Sequence, residues 1–326
     1  MRYTTLGRTS ERVSVIAVGT WQIGSREWGW GRGYGEEEVV RAIQRSVELG
    51  VNLIDTAEIY GGGRSEEVVG RAIRGMRDSV LIATKVWPTH ATYDGTIRAC
   101  ERSLRRLGVD VIDLYQVHWP NPLIPISSTM RAMDKLLKEG KIRYVGVSNF
   151  PPRLLAKAQE HLKSAEIVSN QVKYNLLERD AAESNFRAFG VRVTVLAYSP
   201  LAQGLLTGKY SVGKRPNDFA RSINRLFDTT NLRRVEPLLE RMRELARKHG
   251  CEVSQVALRA LVEREKVVAI AGVKTPAQAE LNALSADVPL TPEEVEELFA
   301  VARGIRLEGF VSIVRTPLRM ISALTS

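Results

Sequence analysis

Short apolar runs rich in Val and Ile alternate along the chain with longer stretches whose apolar residues recur at helical spacing. The apolar runs fall at 15–19, 51–55, 80–85, 112–118, 143–148, 167–171, 193–198 and 267–272. The amphipathic stretches fall at about 36–49, 65–76, 94–107, 127–139, 152–162, 179–189, 234–249 and 276–284. Eight such alternations predict parallel strands joined by helical crossovers. Apolar residues occupy both faces of the runs, as in strands buried on both sides. Eight units favour closure into a single α/β (β/α)8 TIM barrel over an open sheet.

Three pieces lie outside the repeat. Residues 1–13 carry the turn Leu6-Gly7-Arg8-Thr9 between two short runs and read as an N-terminal hairpin that plugs the bottom of the barrel. The stretch 199–233 is a long irregular insertion after the seventh barrel strand, and long loops in compact domains tend to carry function. Thr291-Pro292-Glu293-Glu294 caps an extra C-terminal helix, followed from residue 304 by a basic and apolar tail that is a candidate lid. No linker divides the chain, so residues 1–326 read as one domain, with 291–326 as its C-terminal helix and tail.

Length and composition narrow the class. The chain has 326 residues, 44% of them hydrophobic, which suits one large core. It begins Met-Arg-Tyr without an apolar leader and holds no run of about 20 apolar residues, so a cytoplasmic protein without membrane spans is expected. Cys100 and Cys251 stand far apart, as two buried thiols and not a disulfide framework, and their spacing suits no zinc site. No metal is expected. The net charge is +10, from 47 Lys+Arg against 37 Asp+Glu. The basic residues interleave with Glu along helices and no recognition motif accompanies them, so nucleic acid is not an expected partner. Abundant Arg, Glu and Val with scarce Asn and Gln point to a thermostable protein.

A glycine-rich stretch, Gly29-Trp30-Gly31-Arg32-Gly33-Tyr34-Gly35, invites a phosphate-loop reading. Its spacing fits neither the Rossmann fingerprint nor a Walker loop. A loop over the barrel mouth suits it better.

Functional residues of such barrels sit at the C-terminal ends of strands. Here those ends carry Asp55, Lys85 and His118, with Tyr60 five residues beyond Asp55. Singly, each has a bland explanation as a helix cap, a structural ion pair or a core histidine. Together they match one chemistry. Hydride addition to a carbonyl carbon makes an alkoxide, which needs a proton or a strong hydrogen-bond donor. Tyr60 can give the proton. Lys85, held by Asp55, is expected to lower the pKa of the phenol, whose ordinary value is near ~10. His118 can donate a hydrogen bond to the carbonyl oxygen.

The stretch Asp55-Thr56-Ala57-Glu58-Ile59-Tyr60-Gly61 resembles a signature of the aldo-keto reductase superfamily. Further matches are Thr84-Lys85-Val86, Tyr115-Gln116-Val117-His118-Trp119-Pro120 and the run 141–150, ending Ser148-Asn149-Phe150. Asn170-Gln171-Val172-Lys173-Tyr174-Asn175, Ala197-Tyr198-Ser199-Pro200-Leu201 and Gly272-Val273-Lys274 complete the set in family order. The resemblance implies that Asp55, Tyr60, Lys85 and His118 form the catalytic tetrad.

It also implies how a nicotinamide dinucleotide binds. Ser148, Asn149 and Gln171 match residues that hold the carboxamide, and Tyr198 the aromatic stacked on the ring. Gly19, Thr20, Trp21 and Asp55 line the same region. Ser199, Pro200, Leu201, Gln203, Gly204 and Lys209 resemble the pyrophosphate loop. Gly272, Lys274, Thr275, Gln278 and Asn282 match the grip on the adenosine end and its 2′-phosphate. Many members carry Pro at 271, Arg at 278 and Glu at 281, where this chain has Ala271, Gln278 and Leu281. NADP(H) is favoured, and the missing Arg leaves NAD(H) open.

All five tryptophans lie in the first part of the chain: Trp21, Trp28, Trp30, Trp87 and Trp119. They predict an aromatic wall around the substrate, completed by Tyr60 and His118. The expected substrate is a small apolar or aromatic carbonyl compound, or the corresponding alcohol; sugars also stack on aromatics. A monomer or a homo-oligomer both fit. The segment 199–209 also resembles potassium-channel β-subunits, which implies an alternative role as a weakly catalytic NADPH-sensing regulatory subunit.

Overall fold

The computed structural model describes residues 1–309. Residues 310–326, which hold most of the expected tail, lie outside the described residues. Eight parallel strands close a barrel in chain order: β3 (Ile16–Gly19), β4 (Leu53–Asp55), β5 (Leu81–Val86), β6 (Ile112–Val117), β7 (Ile142–Ser148), β8 (Ile167–Lys173), β9 (Thr194–Tyr198) and β10 (Val267–Gly272). The expected barrel is present, each strand within two residues of its apolar run. β10 pairs with both β9 and β3, which closes the ring.

Helices α1 (Glu36–Glu48), α2 (Arg64–Ala72), α3 (Tyr93–Leu107), α4 (Ile126–Lys138), α5 (Pro152–His161) and α6 (Asp180–Phe189) cover the outside in sequence. Then come α7 (Phe219–Ser222), α8 (Thr229–His249), α9 (Val253–Val262), α10 (Pro276–Leu284) and α11 (Pro292–Gly304). The stretch expected to be irregular to residue 233 ends sooner, because α8 starts at Thr229. Helix α9 is absent from the sequence expectation. Every residue from Gln255 to Val262 is buried, the polar Gln255 and Arg259 included, so its polar residues mark no solvent face. Its start is fixed by a capping box between Glu252 and Gln255. The cap at Thr291 forms as expected, with its reciprocal bonds to Glu294.

The lumen is packed, not open. Ala17, Leu53, Ala83, Leu114, Leu196, Val268 and Ile270 fill it with the hairpin residue Leu6. The hairpin pairs β1 (Tyr3–Thr5) with β2 (Arg12–Ser14). Its Gly7, at φ +55, lies so close to Val168 that a Cβ would come within 2.9 Å of that Cα. Gly7 N–H donates to Thr194 Oγ1 at 2.7 Å, and the buried Lys266 ammonium donates to Gly7 O at 2.8 Å. This plug closes the bottom and leaves the strands' C-terminal ends as the open mouth. Cys100 and Cys251 are both free thiols. Cys100 is buried, with its thiol pushed up to about 12 by burial, while Cys251 is only partly buried. No described helix is long and apolar enough to cross a membrane.

Candidate active site

Just above the apolar lumen, four polar side chains converge. Asp55 ends β4, Tyr60 opens the turn beyond it, Lys85 lies near the end of β5 and His118 follows β6. Lys85 Nζ donates to Asp55 Oδ1 at 2.6 Å, to the Thr56 carbonyl at 2.7 Å and to the Tyr60 hydroxyl oxygen at 3.3 Å. An ammonium has three N–H donors, so all of them are engaged. Tyr60 Oη accepts from Lys85, which leaves the phenolic proton available to an outside acceptor. The His118 ring meets both Tyr60 and Trp87 edge to face, at centroid distances of 5.6 and 5.3 Å. Its Nδ1 is buried without a hydrogen-bond partner among the described residues.

The electrostatics correct one expectation. The Tyr60 pKa stands well above its ordinary value, pushed up by burial and then by the Asp55 carboxylate, not down by Lys85. Burial also lowers the Lys85 pKa, against the pull of Asp55. The pocket that brings the ammonium to the phenol strips water from both, and Asp55 offsets the ammonium's charge at the phenol. Burial, then the Lys85 charge, hold the His118 pKa well below its ordinary value, so its ring is neutral. The site therefore holds a protonated phenol beside a neutral imidazole.

Gln171 Nε2 donates to Asp55 Oδ2 at 2.8 Å, and Gln116 Nε2 donates to the same oxygen at 3.2 Å. Gln116 is missing from the residues the sequence nominates. The signal was its place two residues before His118, on the same face of β6. Glu58 was missed likewise: it is buried and accepts from the Trp87 N–H at 2.6 Å, holding the turn that sets Trp87 against His118.

Ser148 Oγ donates to the Gln171 carbonyl at 2.8 Å and accepts from Asn149 Nδ2 at 2.9 Å. The Tyr198 hydroxyl donates to Asn149 Oδ1 at 3.1 Å. Asn149 has a left-handed backbone at φ +60, as do Ser199, Ala202, Gln203 and Gly204 in the loop after β9. Such strain gathers at ligand sites. Pro200 is buried and Leu201 packs on the second core. Gly19 leaves no room for a side chain, since a Cβ would sit 2.8 Å from Ile270 Cγ2. Thr20 is fully buried, its hydroxyl donating to the Asp55 carbonyl at 2.9 Å, so its side chain serves the fold.

Three cations gather at the far side. Lys274 is half-buried, and its pKa is lowered by burial, then by the charges of Arg221 and Lys209, with only Asp218 opposing. Lys209 lies against Gly204, whose added Cβ would be 3.8 Å from its Nζ. This cluster, with the strained backbone beside it, fits a polyanionic ligand. Thr275 caps α10 by accepting from Gln278 N–H, while Gln278 Oε1 accepts from Lys274 N–H at 3.0 Å. Asn282 Nδ2 donates to the Gly272 carbonyl at 3.2 Å. By contrast, the helix after the glycine-rich loop opens Glu36-Glu37-Glu38, which would repel phosphate.

The tryptophans divide. Trp21 is exposed and its ring meets Trp28 at 5.1 Å. The Arg221 guanidinium lies 4.8 Å over the Trp28 ring, and Lys274 Nζ donates to the Trp28 carbonyl at 2.6 Å. Trp119 is half-buried. Trp30 packs edge-on against Tyr34 and on the main core, and Tyr34 is anchored through its hydroxyl to the Gln22 carbonyl.

Residues 15–303 match the family model described as the Aldo/keto reductase family. The chain belongs to the aldo/keto reductase family. An uncharacterized oxidoreductase from Mycobacterium tuberculosis is 44% identical over 298 residues, covering 90% of this chain and 91% of the relative. A crystal structure of an aldo/keto reductase from Klebsiella pneumoniae in complex with NADP and acetate is 31% identical, with a TM-score of 0.73. It covers 95% of this chain and 99% of that one. A probable voltage-gated potassium channel subunit beta from Oryza sativa is 29% identical, covering 93% of this chain and 97% of that relative. As an aldo/keto reductase, this protein is an NAD(P)H-dependent oxidoreductase.

Proposed function

We propose that this aldo/keto reductase reduces small aldehydes and ketones to alcohols with NADP(H), and that Tyr60 gives the proton. The observation that carries this is the bonding of Lys85, which donates to the Tyr60 oxygen and leaves the phenolic proton for a substrate. A bound nicotinamide dinucleotide supplies the hydride. Tyr60, kept protonated by burial, hands its proton to the forming alkoxide. Neutral His118 adds a hydrogen bond at the same oxygen. Lys85 and Asp55 hold the phenol in place.

Ser148, Asn149 and Gln171 would hold the carboxamide, and Tyr198 the face of the ring. The strained loop from Ser199 to Gly204 with Lys209 would take the diphosphate. Lys274 and Thr275 would take the 2′-phosphate, with Gln278 and Asn282 beside the adenosine. The structure of the Klebsiella relative with NADP supports the choice of NADP(H). Trp21, Trp28, Trp87 and Trp119 favour an apolar or aromatic carbonyl compound.

The test is titration with NADPH and NADH by quenching of tryptophan fluorescence, followed by NADPH oxidation on an aldehyde panel. Binding of neither nucleotide would overturn the reading. The similarity to the channel β-subunit motivates a second reading as a regulatory subunit. NADPH binding without turnover on the panel would favour it.

A further inference from the structure

The two oxygens of the Asp55 carboxylate serve different partners. Oδ1 accepts from Lys85, while Oδ2 accepts from both Gln171 and Gln116. Gln171 Nε2 also donates to Gln116 Oε1 at 3.4 Å, so Asp55, Gln116 and Gln171 close a triangle. Gln116 is wholly buried. It is seated by Gly146 on β7, where an added Cβ would lie 3.1 Å from Gln116 Cγ and 2.5 Å from Ser169 Oγ. Two residues earlier on the same face of β6, Leu114 belongs to the apolar lumen. Gln116 thus stands at the boundary where packed hydrocarbon gives way to the polar mouth.

An aliphatic side chain would fill that boundary without burying an amide, which is unfavourable unless its polar atoms are bonded. The bonds Gln116 makes show what the amide is for. Its donor goes to Asp55 and its acceptor to the amide of Gln171. Gln171 is the residue proposed above to face the cofactor carboxamide, whereas both polar atoms of Gln116 are engaged, its Nε2 by Asp55 and its Oε1 by Gln171. Gln116 therefore keeps Asp55 anchored when Gln171 also serves the cofactor.

We infer that Gln116 is a positioning residue: acting through Asp55, it fixes the place of Lys85 and hence of the proton donor Tyr60. This inference rests on the reading of the site as carbonyl-reducing. The charged and titratable groups of this set are Asp55, Lys85 on β5, Tyr60 after β4 and His118 after β6, with Glu66 on α2 acting on Lys85 and Tyr198 on β9 coupled to Tyr60. Lys85 is the sole cation of that set, so a misplaced Asp55 moves the one charge that addresses the phenol.

Two variants test this. Gln116→Met keeps the volume and removes the donor. Its kcat should fall about tenfold, as for loss of a hydrogen bond to a charged group. KM and the NADPH Kd should stay within about threefold, because Gln116 is wholly buried with both polar atoms taken by Asp55 and Gln171. Gln116→Glu keeps the shape and places a second carboxyl on Asp55, so the two share one proton. Its kcat should fall as pH rises and that proton leaves, adding a limb the wild type lacks. A space-filling role predicts neither effect. If Gln116→Met does not fold, the presence of the new limb in Gln116→Glu supports the inference and its absence overturns it. Wild-type turnover on the panel, with both variants within twofold of it and no new limb, sinks the inference while the activity stands (a ratio of about two is under 0.5 kcal/mol). A wild type that oxidises no NADPH on any aldehyde overturns both.

Discussion

The ammonium of Lys85 donates to the phenolic oxygen of Tyr60 across 3.3 Å, so the phenol's own proton is free for another acceptor. Replacing Tyr60 by Phe removes that proton and leaves the ring. Turnover should drop by about 10²–10⁴-fold, the usual share of general acid help. NADPH binding, followed by fluorescence quenching, should change little. Turnover within a few-fold of wild type would show that the proton comes from elsewhere.

The direction of the Tyr60 shift sets a pH dependence. A phenol raised well above its ordinary value stays protonated through neutral and moderately alkaline pH. His118, held well below its ordinary value, stays neutral there. The kcat for reduction should therefore be level between about pH 7 and pH 9, with no limb from either group. Alcohol oxidation needs the phenolate, so its rate should climb over the same span. A falling limb near neutrality in reduction, absent from Tyr60→Phe, would contradict this.

Much of this was legible in the residues. Parallel barrel strands are buried on both faces, so apolar runs such as 112–118 and 193–198 announced them. Asp55, Lys85 and His118 stood out because polar residues at the ends of such runs are conspicuous. Helix α9 was illegible for the opposite reason, since its polar residues Gln255 and Arg259 are themselves buried and mark no solvent face. The sign of the Tyr60 shift depends on the competition between desolvation and two opposite charges, which spacing along a chain does not reveal. Gln116 gained meaning only when β4, β6 and β8 brought it, Asp55 and Gln171 together.

Lys274 offers a test of cofactor choice. It is half-buried among like charges, and its ammonium donates to the Trp28 carbonyl. Lys274→Met should weaken NADPH about tenfold or more, the loss expected for a charge-assisted contact to phosphate. NADH, which lacks the 2′-phosphate, should change by less than about threefold. Equal losses for both nucleotides would assign Lys274 to the diphosphate or to the Trp28 loop instead. The apoprotein's tryptophan emission should shift as well, since Trp28 loses its partner.

Glu294 ties α11 to the end of α8. Its carboxylate accepts from Lys248 at 2.7 Å, from His249 Nε2 at 2.9 Å and from the Thr291 N–H at 2.9 Å. Burial pushes its pKa up, but the bonds from Lys248, Thr291 and His249 outweigh burial and bring it from 4.5 down to about 2. A depressed carboxylate stabilises the fold fully above 4.5, and that contribution fades as pH falls through about 2. Lys248 is exposed, so solvent screens its share. Glu294→Gln keeps the shape and loses the charge, and at neutral pH its melting temperature should lie about 1–4 °C below that of the wild type. The gap should narrow as both are taken below pH 4.5 and close near pH 2. A gap of constant size down the whole range would mean that Glu294 acts through packing and capping, not through its charge.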